Sequence, residues 1–194
     1  MKRLILAAVA AVLATPAWAH LNPGEHGSFA AGFSHPMFGT DHVLAMVAVG
    51  LWAALIGGRA LWALPVAFVG VMALGFLASL IGAPLPFVEP VILASVVALG
   101  VLVAIALPVP VWAGAAMVGF FAFFHGHAHG SEIGAATAFA YGSGFALATA
   151  LLHAVGLGIG VAARRFLTGE RGEMLLRVFG GMTAAGGLML AVAG

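Results

Sequence analysis

The sequence predicts an all-α fold, a polytopic membrane helix bundle of six transmembrane helices after a cleaved signal peptide. Three observations predict it. Charged residues make up 7% of the chain, against roughly 25% in a typical soluble domain. Hydrophobic residues make up 63% and fall in long runs instead of alternating with polar ones, so 194 residues could not cover a soluble core. Brief turn-forming clusters divide these runs into segments long enough to cross a hydrocarbon layer of about 30 Å as helices.

The first segment reads as a targeting signal over residues 1–19. Lys2 and Arg3 form a positive start, Leu4 to Leu13 an apolar core too short to span, and Ala17-Trp18-Ala19 an A-x-A cleavage site. Cleavage would leave His20 as the mature N-terminus, outside the cytoplasm. Residues 20–35 then form an extracytoplasmic leader containing His20 and His26, and 36–194 the six-helix transmembrane domain.

The six spans are expected near 36–57, 61–81, 89–107, 111–129, 135–163 and 175–193. Pro36 suits the first turn of span one, with Ser34 or His35 as its cap. Gly57-Gly58-Arg59 closes that span, Gly82-Ala83-Pro84-Leu85-Pro86 the second and Pro108-Val109-Pro110 the third. Gly130-Ser131 and the stretch from Arg164 to Glu173 separate the last three.

Orientation follows from two separate arguments. A signal peptide places the mature N-terminus outside, so spans one and two join inside, as do spans five and six. Arg59, Arg164, Arg165, Arg171 and Arg177 all fall at those inner connections, as the positive-inside rule requires. Glu25, Asp41, Glu89 and Glu132 fall at the outer side. The expected location is a bacterial inner membrane.

Glycine is concentrated in the last two spans, at Gly156, Gly158 and Gly160 and at Gly180, Gly181, Gly186 and Gly187. Small residues at such spacing let helix backbones approach closely, so packing is their expected role.

Ionisable side chains are expensive in a membrane, so a cluster there marks function. Two segments carry one: His35-Pro36-Met37-Phe38-Gly39-Thr40-Asp41-His42 and His125-Gly126-His127-Ala128-His129-Gly130-Ser131-Glu132. His125, His129 and Glu132 stand at i, i+4 and i+7, one helical face. His127 points away unless the segment unwinds, which Gly126 and Gly130 would permit. In span one His35 and His42, seven apart, nearly share a face, and Asp41 can orient a neighbouring imidazole or bind an ion. His42 is 15 residues from Gly57 and His125 is 14 from Val111, about 22 and 21 Å from the inner ends of their helices. The two segments are therefore expected to meet in the outer half of the membrane. His153, 11 residues before Arg164, lies near the midplane and is read either as a second station or as a packing residue. His20, if terminal, would chelate through its amine and ring.

Imidazole and carboxylate donors without thiolate favour Ni²⁺, Zn²⁺, Cu²⁺ or Co²⁺ over Mg²⁺ or Ca²⁺. The chain has no cysteine, which excludes thiolate metal sites, disulfides and thiol nucleophiles. It has no phosphate-binding G-x-x-x-x-G-K-[ST] loop and no basic stripe for nucleic acid. The partners expected are a divalent ion and the lipid bilayer, with no tightly bound cofactor and no enzymatic activity.

His35-Pro36, Gly39 and Asp41-His42, together with Phe124-His125-Gly126, Ala128-His129-Gly130 and Glu132, closely resemble the two signature segments of the HupE/UreJ family of hydrogenase and urease accessory proteins. The resemblance extends over the whole chain. It implies a nickel permease supplying nickel enzymes, with His35, Asp41, His42, His125, His129 and Glu132 as functional residues. The chain departs from the pattern in the extra imidazole of His127 and in lacking a proline at Ile133-Gly134.

Three other readings compete. An intramembrane serine protease would use Ser143 and His153, but Tyr141 stands where the G-x-S-G pattern needs glycine. A haem or copper carrier would use His42 and His125 as axial ligands. A sensor or scaffold would bind metal without moving it.

Overall fold

The computed structural model describes residues 28–131, 133, 138–167 and 170–193. The expected signal peptide, His20, His26 and Glu132 lie outside the described residues. Those described form seven α-helices and no strand: α1 (Phe29–Phe38), α2 (Thr40–Ile56), α3 (Ala60–Leu80), α4 (Val88–Ala104), α5 (Val111–Ser131), α6 (Ala138–Phe166) and α7 (Glu170–Ala193).

Helices α3, α5, α6 and α7 are each long and apolar enough to cross a membrane. Large apolar side chains such as Trp62, Leu77, Phe139 and Met189 cover the outside, whereas His42, His125, His129 and His153 are buried. A water-soluble protein has the opposite distribution, so the chain has the character of a multi-pass membrane protein.

The first span departs from expectation. A single helix from residue 36 is replaced by α1 and α2, bent by 82° at Gly39, and only the pair together passes as a membrane span. Ser28, not Ser34 or His35, caps α1, its hydroxyl accepting from the Ala31 N–H at 3.0 Å. Pro36 lies inside α1, where it leaves the Gly32 carbonyl without its helical donor. Gly39 then takes an extended conformation, φ −75° and ψ 111°. Its N–H still bonds the His35 carbonyl while its own carbonyl starts α2 through Val43. Pro36 was expected in the first turn of a helix and instead lies near the end of α1, which stops before Gly39. His35 and His42 therefore do not share a helical face.

Helix pairing is governed by glycine. Helix α5 lies on α3, α6 on both α1 and α2, and α7 on α4. A Cβ at Gly126 would run into the Met72 backbone, and one at Gly75 into that of Phe123, so the α3–α5 contact is backbone against backbone. Gly126 and Gly130, expected to allow unwinding, instead hold a helix against its neighbour, with Gly130 on Phe76 and Ser79. Gly32 and Gly144 join α1 to α6 in the same way, Gly156 presses on Val47, and Gly180 on Ala104. Gly158 and Gly181 have nothing within 4 Å and serve no such contact.

The opposite end is tied by arginine. Arg164 donates to the carbonyls of Ala54 and Leu55 at 2.6 and 3.1 Å, and Arg177 to that of Ala104 at 2.9 Å. These carbonyls lie in the last turns of α2 and α4, where they lack donors within their own helices and attract positive charge.

Gly126→Val should destabilise the protein at the upper end of about 1–3 kcal/mol, because the added carbons meet backbone. Gly158→Ala should leave stability unchanged or slightly higher. Thermal unfolding in one detergent compares them; equal midpoints for both variants would contradict the close-packed α3–α5 contact.

Candidate metal centre

Four imidazoles converge where α1, α2 and α5 meet. His35 comes from the last turn of α1, His42 from the first turn of α2, and His125 and His129 from the last turns of α5. Ring centres lie 4.6 Å apart for His35 and His129, 4.8 Å for His42 and His129, 5.2 Å for His42 and His125, and 6.0 Å for His35 and His42. Helices α2 and α5 are not packing partners, since each lies mainly against another helix. The rings fill the space between them, so the cluster is an interior site instead of a helix seam.

Hydrogen bonds assign the tautomers. Asp41 Oδ1 stands 2.9 Å from His42 Nδ1, so that nitrogen carries the proton and donates to the carboxylate. His129 Nε2 then donates to His42 Nε2 across 2.7 Å, and the Tyr141 hydroxyl donates to His129 Nδ1 at 3.4 Å. His125 is set independently: its Nδ1–H donates to the Phe121 carbonyl at 3.0 Å, and its buried Nε2 has no partner. Metal-binding histidines characteristically hand one N–H to a carboxylate or a backbone carbonyl, which aims the other nitrogen's lone pair. His42 and His125 are both held this way.

The break at Gly39 makes the Asp41–His42 pair. A Cβ at residue 39 would lie 3.0 Å from His42 Nδ1 and 3.1 Å from Asp41 Oδ1, so both side chains fold back closely over Gly39, and a larger residue there would press on them. Asp41 also sits in the first turn of α2, where the helix dipole favours negative charge.

Among the described residues, no three His, Asp or Glu side chains are already arranged to hold a metal ion. One pair of nitrogens is close to the spacing an ion needs. Two nitrogens on one tetrahedral ion stand about 3.3 Å apart, given metal–nitrogen bonds of about 2.05 Å; His42 and His129 are at 2.7 Å with a shared proton between them. An ion entering would replace that proton and spread the rings by a fraction of an ångström.

The remaining histidines are placed elsewhere. Helix α5 continues through His127, which faces away and bonds the Ala83 carbonyl at 2.7 Å through Nε2. It therefore stands apart from the cluster, because the glycines beside it pack instead of unwinding. His153 is also outside the four-ring group, with Phe68 against both it and His125. Ser143 donates to the Ala140 carbonyl of its own helix at 2.8 Å, which leaves it unpaired with any base. The edge-to-face contact of His42 and His125, 5.2 Å between centres, leaves no slot for a flat macrocycle.

Two participants escaped the sequence reading. Tyr141 is the chain's one tyrosine, a phenol amid apolar residues, and that rarity was the available signal. Phe68 is one of 14 phenylalanines and carried no signal at all.

A family model described as HupE / UreJ protein matches residues 7–190. Protein HupE of Rhizobium leguminosarum bv. viciae is 45% identical over 194 residues, covering 99% of this chain and 100% of that protein. No solved structure matches the chain.

The assigned tautomers are open to measurement. Solid-state ¹⁵N spectra of histidine-labelled protein in lipid should show His42 and His125 protonated at Nδ1 and His129 at Nε2. A proton on Nε2 of His125 would refute the assignment.

Proposed function

The chain belongs to the HupE/UreJ family, and on that premise we propose that it carries a divalent transition-metal ion, nickel foremost, across the bacterial inner membrane to supply a hydrogenase or urease. The observation that carries this reading is the pair of aimed lone pairs. His42 is backed by Asp41 and His125 by the Phe121 carbonyl, so both Nε2 atoms face the interior cluster. The His42 lone pair is met only by a proton of His129, which an ion would displace, and the buried His125 Nε2 has no hydrogen bond at all.

In this reading the membrane is crossed six times, the bent α1–α2 pair counting once and the 17-residue α4 once. The mature N-terminus lies outside after cleavage near Ala19, and the arginine-bearing end faces the cytoplasm. The cluster of His35, His42, His125 and His129 then lies at the outer end and receives the ion, with Asp41 and Glu132 supplying negative charge. His20 adds capture at the mouth. The ion is cargo and binding must stay weak enough for release, which an open group of imidazoles serves better than a closed cage. A dication moving to a negative interior gains about 4.6 kcal/mol per 100 mV, so no nucleotide is required. Nickel is preferred to Co²⁺, Zn²⁺ or Cu²⁺ on the family's known association; imidazole and carboxylate donors accept all four.

Two measurements test this. In sealed vesicles His42→Ala and His129→Ala should each abolish saturable Ni²⁺ uptake while the protein remains inserted, and metal bound without internal accumulation would leave a sensor or scaffold instead. Asp41→Asn should weaken Ni²⁺ binding by about 10–100-fold, as loss of an orienting carboxylate does; equilibrium dialysis reads it, and unchanged affinity would remove Asp41 from the site.

A further inference from the structure

Beyond the four-ring cluster, one histidine has no partner at either nitrogen. His153 on α6 is 1% exposed, and both Nδ1 and Nε2 are buried without a hydrogen bond. Buried polar atoms are paired almost without exception, so an unpaired buried ring calls for a physical reason, and binding a ligand is one.

Its surroundings are ordered along the direction of transport. The Phe68 ring lies edge-to-face with His153 at 5.0 Å and with His125 at 5.6 Å, so one aromatic ring touches both. One turn toward the cluster, Met72 on α3 faces Thr149 on α6, with the Thr149 hydroxyl 3.7 Å from the Met72 sulfur. Phe68 and Met72 share one face of α3, and Thr149 and His153 one face of α6, by the i, i+4 rule. On its other side His153 lies beneath an open groove of about 480 Å³ between α3 and α6, lined by Leu61, Pro65, Val66, Gly70, Ala150 and Leu157, with Val66 62% exposed. Leu61, Pro65 and Leu157 lie toward the arginine end, and His153 is the sole polar side chain of the lining.

We infer that His153 is a second, single-imidazole station for the metal ion, one step inward of the histidine cluster and separated from it by the Phe68 ring. The inference rests on the transport reading above. Phe68 interrupts any continuous file of water or protons between the stations. Its π face still attracts a partly dehydrated cation during the passage. His125 Nε2, also unpartnered, is the donor from which the ion leaves. One imidazole holds a cation less firmly than several, so affinity falls along the path.

The test uses purified full-length protein in sealed vesicles with Ni²⁺ alone as the probe. His153→Leu should keep Ni²⁺ binding at the cluster, measured by equilibrium dialysis, while initial uptake falls by about tenfold or more, the loss expected when a metal contact is removed. Uptake at the wild-type rate overturns the inference, and so does loss of binding and uptake together, which would make His153 part of the cluster or of the fold. His153→Cys supplies an independent readout, because the chain has no other thiol. Its alkylation by N-ethylmaleimide should slow with Ni²⁺ present and quicken when Phe68→Ala is added; indifference to both overturns the proposal. Wild-type protein that accumulates no Ni²⁺ defeats the transport reading and this inference with it. Wild-type transport with unaffected His153 variants defeats this inference alone.

Discussion

The Asp41–His42 hydrogen bond is the interaction on which the site depends. An imidazole in an apolar bundle must place its N–H somewhere, and an unpaired polar group there costs about 2–7 kcal/mol. A carboxylate at 2.9 Å takes that proton, and the choice propagates. His42 is left with a bare Nε2, His129 must donate to it, and Tyr141 must donate to His129. One acidic residue at a helix start thereby orders the protons of two imidazoles and a phenol.

That interaction exists because the first span is broken. Asp41 and His42 stand about 100° apart in the first turn of α2 and pair by folding back over Gly39. The bend at Gly39 places both at a helix start, over a position with no side chain, and turns α1 across α6 so that His35 approaches His129 from a different direction. Irregular backbone within a membrane protein is tolerated where it is enclosed by protein. Here α6 encloses it, through the glycine contacts at Gly32 and Gly144.

Glycine and histidine divide the work by position. Where two helices press together, a glycine meets a carbonyl; where α2 and α5 are held apart, imidazoles fill the gap. Gly126 sits between His125 and His127, so one residue locks α5 onto α3 while its neighbours point to opposite sides. That contact is also why His127 ends on the Ala83 carbonyl.

Much of this was legible in the order of residues. Long apolar runs determine helices, since in lipid every backbone group must be satisfied within its own segment. The i, i+4 spacing of His125 and His129 determines a common face, and the arginines and Arg-free runs determine which helix ends lie together. Three things were decided only by the tertiary structure. The break at Gly39 was hidden because a proline favours the first turn of a helix, and only the contacts of α1 with α6 show a helix already formed before Pro36. The packing of Gly126 and Gly130 was hidden because flexibility and close approach require the same residue. The contact of Phe68 with both His125 and His153 was invisible because a phenylalanine carries no chemical signal of its own. Periodicity reports the direction of a side chain on its own helix, whereas what it faces is set by where another helix is placed.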